Sequence, residues 1–223
     1  MSITEEIAFK LGNMAKINLN ADSDETDIII YGAINLFQTI NSIFWVIVVG
    51  FFAGALYEAL LFSITASILR KYSGGVHASS PMRCATIGAV SSGVFGIFVN
   101  RIFYKSNINI VIISSILLII ISLLIIMRKA PVDSIQKPID DDMMKKTFRK
   151  KSILLIFIIT FIVISLLLVY IVNRNLIYIK SMESIIIGMF WQGFTLTKIG
   201  DFLVTKIDLG LKFIIEGRWK YDS

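Results

Sequence analysis

Residues Ile108 to Met127 read INIVIISSILLIIISLLIIM, twenty positions without a charged side chain. A helix rises about 1.5 Å per residue, so a run of about 20 apolar residues matches the hydrocarbon core of a bilayer. Comparable runs lie on both sides: Cys84 to Val99 before it, Ile153 to Val172 after it, and a weaker one at Ser184 to Leu196. The apolar stretch from Ile28 to Leu69 is about twice the length of one span. It reads as a hairpin of Ile28 to Val48 and Phe51 to Leu69 with Gly50 near the turn. Six spans follow, the expected fold class being an all-α polytopic membrane bundle. With 56% hydrophobic and 17% charged residues and a mean hydropathy of +0.77, the composition excludes an ordinary soluble domain.

The flanks differ. Residues 1–27 carry Glu5, Glu6, Asp22, Asp24, Glu25 and Asp27 against Lys10 and Lys16. Ile3, Ile7, Leu11 and Met14 recur there at helical spacing, and Ser2 with Glu5 forms a capping pattern, which predicts an interfacial helix. The basic flank and apolar core of a cleaved signal are not expected in this segment. Between Arg128 and Lys151 stand eight Lys or Arg residues, with Pro131, Pro138 and the acidic run Asp140 to Asp142, predicting a solvated loop. Such clusters mark cytoplasmic loops, so this segment and Arg70 to Arg83 are placed on the cytoplasmic side, with both termini. Residues 198–223 alternate charge with Phe202, Leu203, Ile207, Leu211 and Ile214, as a helix on the membrane surface or against the bundle would. The expected organisation is one integral membrane domain, 1–223: an interfacial segment 1–27, a bundle 28–196 interrupted by a loop at 70–84, and a tail 197–223.

The net charge of +6 belongs to headgroup contact and orientation rather than to nucleic acid, because no basic helix interleaved with stacking aromatics stands apart from the apolar runs. One Cys and one His exclude an intramolecular disulfide and a Cys- and His-rich zinc site, and no cofactor or metal is expected.

Chemistry concentrates in RKYSGGVHASSPMRC, residues 70–84, which holds the lone His77 and the lone Cys84. On one unbroken helix seven residues would separate them by about 10 Å, too far for proton transfer. Gly74 and Gly75 break the helix, and Ser80 followed by Pro81 reads as an N-cap and first helical residue. His77 is thus expected in a loop and Cys84 in the first turn of the third span. A helix start and the Arg83 cation both favour the thiolate, the reactive form of cysteine, and N–H groups of the same turn suit a developing oxyanion. The bland alternatives are a Cys that is a small buried hydrophobe, a His that is a loop residue, and an Arg83 that anchors the chain at the cytoplasmic face.

The run Arg70-Lys71-Tyr72-Ser73-Gly74-Gly75, then His77-Ala78 and Cys84, resembles the signature of the AgrB family, the accessory gene regulator proteins of Gram-positive quorum sensing. The match is specific over 70–84, whereas beyond about residue 130 only the general character is shared. The resemblance implies a membrane cysteine endopeptidase that cuts the C-terminal segment from an AgrD-type propeptide. Cys84 would be the nucleophile and His77 the general base, with a thioester that an internal Cys or Ser converts to a thiolactone or lactone. Arg70, Gly74, Gly75, Ser80 and Arg83 would support the loop. The lipid bilayer, the propeptide and a second copy in a homodimer are the implied partners. The rival reading is a transporter or exporter of a small peptide without covalent chemistry, for which Glu58, the one acid inside a predicted span, would also suit. Glu58 reads more simply as a structural partner within the bundle, as do Asn35, Gln38 and Asn41. Lys145, Lys146, Arg149, Lys150 and Lys151 read as an orientation signal that could also attract an acidic peptide tail.

Overall fold

The computed structural model describes residues 3–19, 22–76, 78–132 and 141–216. Among them are eight α-helices: α1 (Ile3–Asn18), α2 (Ser23–Phe52), α3 (Leu56–Ser73), α4 (Pro81–Arg101), α5 (Ile108–Lys129), α6 (Asp142–Asn173), α7 (Leu176–Thr195) and α8 (Lys198–Glu216). Four of them, α2, α4, α5 and α6, are long and apolar enough to cross a membrane. The chain is an all-α membrane bundle, as its hydropathy predicts. Two compact units form, residues 1–45 and 46–223.

In the first unit α1 packs on α2 through small residues. Ala8 and Ala15 are buried, and a Cβ on Gly12 would meet Ile30 at 2.4 Å. Ile7, Leu11 and Met14 are exposed. Ser2, the expected cap, lies outside the described residues. A reciprocal cap does form at the start of α2, where the Glu25 N–H donates to the Asp22 carboxylate at 2.8 Å and the Asp22 N–H to Glu25 at 3.2 Å.

The apolar stretch 28–69 divides into α2 and α3, and the break between them sits past Gly50. α2 continues to Phe52 and the chain turns at Gly54, whose φ of 64° is costly for residues with a Cβ. The basic segment also differs from expectation. α6 begins at Asp142, capped by the Asp141 side chain on the Met143 N–H at 2.9 Å, so Lys145 to Lys151 are helical rather than loop. Pro138 and Asp140 lie outside the described residues.

In the second unit α7 and α3 occupy the interior, with α4, α5 and α6 around them. This explains the weak hydropathy of α7: its neighbours are protein, and it buries Ser181, Glu183, Ser184, Gln192 and Thr195 beside Met182, Ile186 and Met189. The main core joins Leu69, Val111, Ile126, Ile156, Ile159 and Val163 to that apolar face. α3 and α7 approach closely at Gly188, where a Cβ would stand 2.5 Å from the Phe62 carbonyl oxygen. Large residues of the most apolar helices, such as Ile113, Leu117, Phe157 and Phe161, face outward, where lipid would cover them.

Polar contacts mark the two ends of the bundle. At one end the Lys180 ammonium donates to Asn100 at 2.6 Å and lies 3.9 Å from the Glu58 carboxylate, Asn100 donates to the Gly54 carbonyl at 2.7 Å, and the Tyr57 and Ser181 hydroxyls are 2.9 Å apart. Glu58 therefore has the structural partner expected of it. At the other end meet the C-termini of α3, α5 and α7 and the N-termini of α4 and α6, with α8 against α4 and α7.

Candidate active site

Cys84 lies at this second end, and the break in helix required between 77 and 84 is present. α3 stops at Ser73, Gly74 caps it with φ 67°, Gly75 follows with φ 131°, and α4 restarts at Pro81 after an extended Ser80. Ser80 occupies the N-cap position without a side-chain cap bond. The Cys84 N–H donates to the Ser80 carbonyl at 3.0 Å, so that donor already serves the helix and an oxyanion would need others of the turn. His77 lies outside the described residues. Its neighbours Val76 and Ala78 are described, and both pack in one apolar cluster with Cys84, Ile87, Val204 and Leu211. The chain on either side of position 77 therefore folds back toward the cysteine. Cys84 itself is partly buried.

Three sets of contacts fix the loop. The Arg70 guanidinium donates to the Val76 carbonyl. The Gln192 amide, from buried α7, donates to the Ser73 hydroxyl at 3.0 Å and to the Gly74 carbonyl at 2.8 Å. Val132, just beyond α5, pairs through its main chain: its N–H donates to Ser73 O at 3.0 Å, and its carbonyl accepts from the Gly75 N–H at 3.4 Å. A Cβ on Gly74 would lie 2.1 Å from that carbonyl, so both the space and the positive φ demand glycine. Arg149 reinforces this corner by donating to the Ala130 carbonyl at 2.7 Å.

The second half of the loop is held by α8. The Asp208 carboxylate accepts from Arg83 Nε at 2.7 Å, from the Ser79 hydroxyl at 2.6 Å and from the Ser79 N–H at 3.1 Å, while Arg83 also donates to the Ser79 hydroxyl at 2.5 Å. Arg83 and Asp208 are both buried. Burial by itself raises the Asp208 carboxyl, but the bonds from Ser79 and Arg83 outweigh it and hold the carboxyl below its ordinary value of 3.8. Arg83 is thus neither a free cation beside the sulfur nor a simple headgroup anchor.

Among the sequence-predicted residues, Arg70 lies in the last turn of α3, and Gly74, Gly75, Ser80, Arg83 and Cys84 lie on this loop or the helix start it feeds. Sequence reasoning missed Gln192, Val132, Ser79 and Asp208. The signal for Asp208 was its place on a helical face between Val204 and Leu211, an acid where an apolar residue would continue the seam. Glu183 was missed too, because the predicted sixth span began one residue later. It is fully buried in α7, and its carboxylate oxygens have no hydrogen-bond partner among the described residues.

The basic residues gather near the same corner. The Lys71 and Lys151 ammonium groups lie 5.5 and 5.4 Å from the Tyr72 ring centroid. Lys145 to Lys151 occupy the start of α6, whose apolar part begins just beyond.

No solved structure matches the chain. A protein of Clostridium perfringens strain SM101 described as AgrB-like is 38% identical over 207 residues, covering 92% of this chain and 96% of that protein. A second AgrB-like protein, from C. perfringens strain 13, is 36% identical over the same shares. The family described as accessory gene regulator B matches residues 5–196, which include the loop, Cys84 and all of α2 to α7. With its membrane helices and the 70–84 loop at one end of the bundle, the chain belongs to the accessory gene regulator B (AgrB) family.

Proposed function

We propose that the chain is a membrane cysteine endopeptidase that cleaves an AgrD-type propeptide and closes the product into a ring. The observation that carries this reading is Cys84 at the start of α4, among apolar side chains and facing a tightly held loop, in a chain of the AgrB family. The Cys84 thiolate attacks the scissile carbonyl, the C–N bond breaks, and the departing amine takes a proton from the His77 imidazolium. The peptide is left as a thioester on sulfur. An internal thiol or hydroxyl of the same peptide then loses its proton to His77 and attacks that carbonyl, releasing the Cys84 thiolate and a thiolactone or lactone. Water competes for the thioester, so the apolar cluster around Cys84 serves the reaction by exclusion.

The basic residues at this end favour the cytoplasmic face for the site and an acidic peptide tail as the part of the substrate they attract. A peptide transporter is the second reading, and the buried Glu183 carboxyl, without a hydrogen-bond partner among the described residues, is the feature that favours it. Cys84→Ser and His77→Ala separate the two. The endopeptidase keeps its fold and expression in both variants and loses propeptide cleavage, measured by mass spectrometry of the peptide products in liposomes. Transport would tolerate both changes, and undiminished cleavage in Cys84→Ser would overturn the endopeptidase.

A further inference from the structure

We infer that Asp208 is a positioning residue of the Cys84 site, clamping α8 onto the loop so that the helix closes the water side of the sulfur. The inference rests on the proposed endopeptidase for its purpose, but not for its geometry. The residues matched to the family end at 196, so α8 lies beyond them.

Val204, Asp208 and Leu211 share one face of α8, at helical spacings of four and three. Val204 is buried against Ala78 and Ile87, Leu211 joins the same cluster, and Cys84 packs with them. The apolar contacts put α8 beside the thiol, and the carboxylate between them locks it there. Its two oxygens take three hydrogen bonds, one from the residue preceding Cys84 and two from Ser79, in the loop two residues past His77. One side chain therefore fixes the backbone on the approach to α4, the guanidinium adjacent to the nucleophile and the wall over it.

The carboxylate has an electrostatic consequence as well. It sets a negative charge against Arg83, so the site presents a neutral pair rather than a cation one residue from the sulfur. Removing the charge while keeping the shape would loosen the wall and expose the guanidinium together. Loosening admits any reagent, whereas the loss of one negative charge beside the guanidinium favours anions in particular.

Because the chain has one cysteine, thiol labelling of the full-length protein in detergent micelles reports on Cys84 alone. Two probes are compared at low salt, neutral iodoacetamide and the anionic 2-sulfonatoethyl methanethiosulfonate, on the parent, Asp208→Asn and Asp208→Glu. Asp208→Asn is expected to label several-fold faster with iodoacetamide and faster still with the anionic reagent, raising the anionic-to-neutral ratio about threefold or more, as the removal of one negative charge near the site would. Asp208→Glu, which restores the charge, should bring the ratio back toward that of the parent. A thermal melt of each variant checks that it is folded. Should Asp208→Asn be unfolded, Ser79→Ala, which removes one partner of the carboxylate, must raise the iodoacetamide rate in its place. Rates and ratio unchanged in a folded Asp208→Asn, or an Asp208→Glu that behaves like Asp208→Asn, overturn the inference. The labelling needs no peptide, so a failure here leaves the endopeptidase standing, and loss of the endopeptidase leaves the labelling result intact.

Discussion

Gly74 carries the tightest constraint at the scale of single residues. Its φ of 67° and the Val132 carbonyl beside it leave no room for a methyl group. Gly74→Ala should therefore cost about 1–3 kcal/mol of stability from backbone strain alone. The pairing of Ser73 and Gly75 with Val132 would be disturbed as well. The expected outcome is a lowered melting temperature in detergent together with loss of peptide cleavage. Gly75 has the stranger φ but looser surroundings, with Leu196, Gln192 and Thr195 at 3.3 to 3.6 Å from a Cβ, so backbone strain without steric collision would govern a change there. The glycine pair and the Ser80-Pro81 helix start were legible in the sequence because each acts through its own backbone. Asp208 was not legible: it meets Arg83 over a sequence separation of 125, and no local pattern reports so distant a partner. The same holds for Gln192, whose amide reaches Ser73 over a separation of 119.

Hydropathy located α4, α5 and α6 well because their outward positions, which lipid would cover, must be apolar. It was least informative for α7, an interior helix that spends its faces on protein and can hold Lys180, Glu183 and Gln192. Boundaries moved where helix chemistry overrode hydropathy, as at the start of α6, where Asp141 caps a basic turn that composition reads as loop. The Asp208 carboxyl on α8 should make stability depend on pH. The Asp208 carboxyl lies below its ordinary 3.8 in the folded protein, so its contribution is complete above that value and is lost as pH falls through the lower folded one. The melting temperature of the parent should consequently exceed that of Asp208→Asn at neutral pH, and the gap should close as the pH drops below about 4. A gap that stays constant or widens on acidification would show that Asp208 does not act through its charge.

Across the whole molecule, polar contacts concentrate at the two ends of the bundle. One end is a polar clasp of Tyr57, Glu58, Asn100, Lys180 and Ser181 that ties the α2–α3 turn to α4 and α7. The other gathers five helix ends and α8 around residues 73–84, and most of the loop's hydrogen bonds go to segments far away in the chain. A site assembled this way is rigid only when the bundle is complete, which would suit the proposed thioester against the approach of water. Formation of that thioester is the central claim, and denaturing mass spectrometry of the intact chain tests it most directly. On rapid acid quench after mixing with a synthetic AgrD-type propeptide, the parent should carry the mass of the N-terminal peptide fragment, removable by hydroxylamine and absent from Cys84→Ala. Cleavage by Cys84→Ala, or an adduct on the parent that maps away from Cys84, would contradict it.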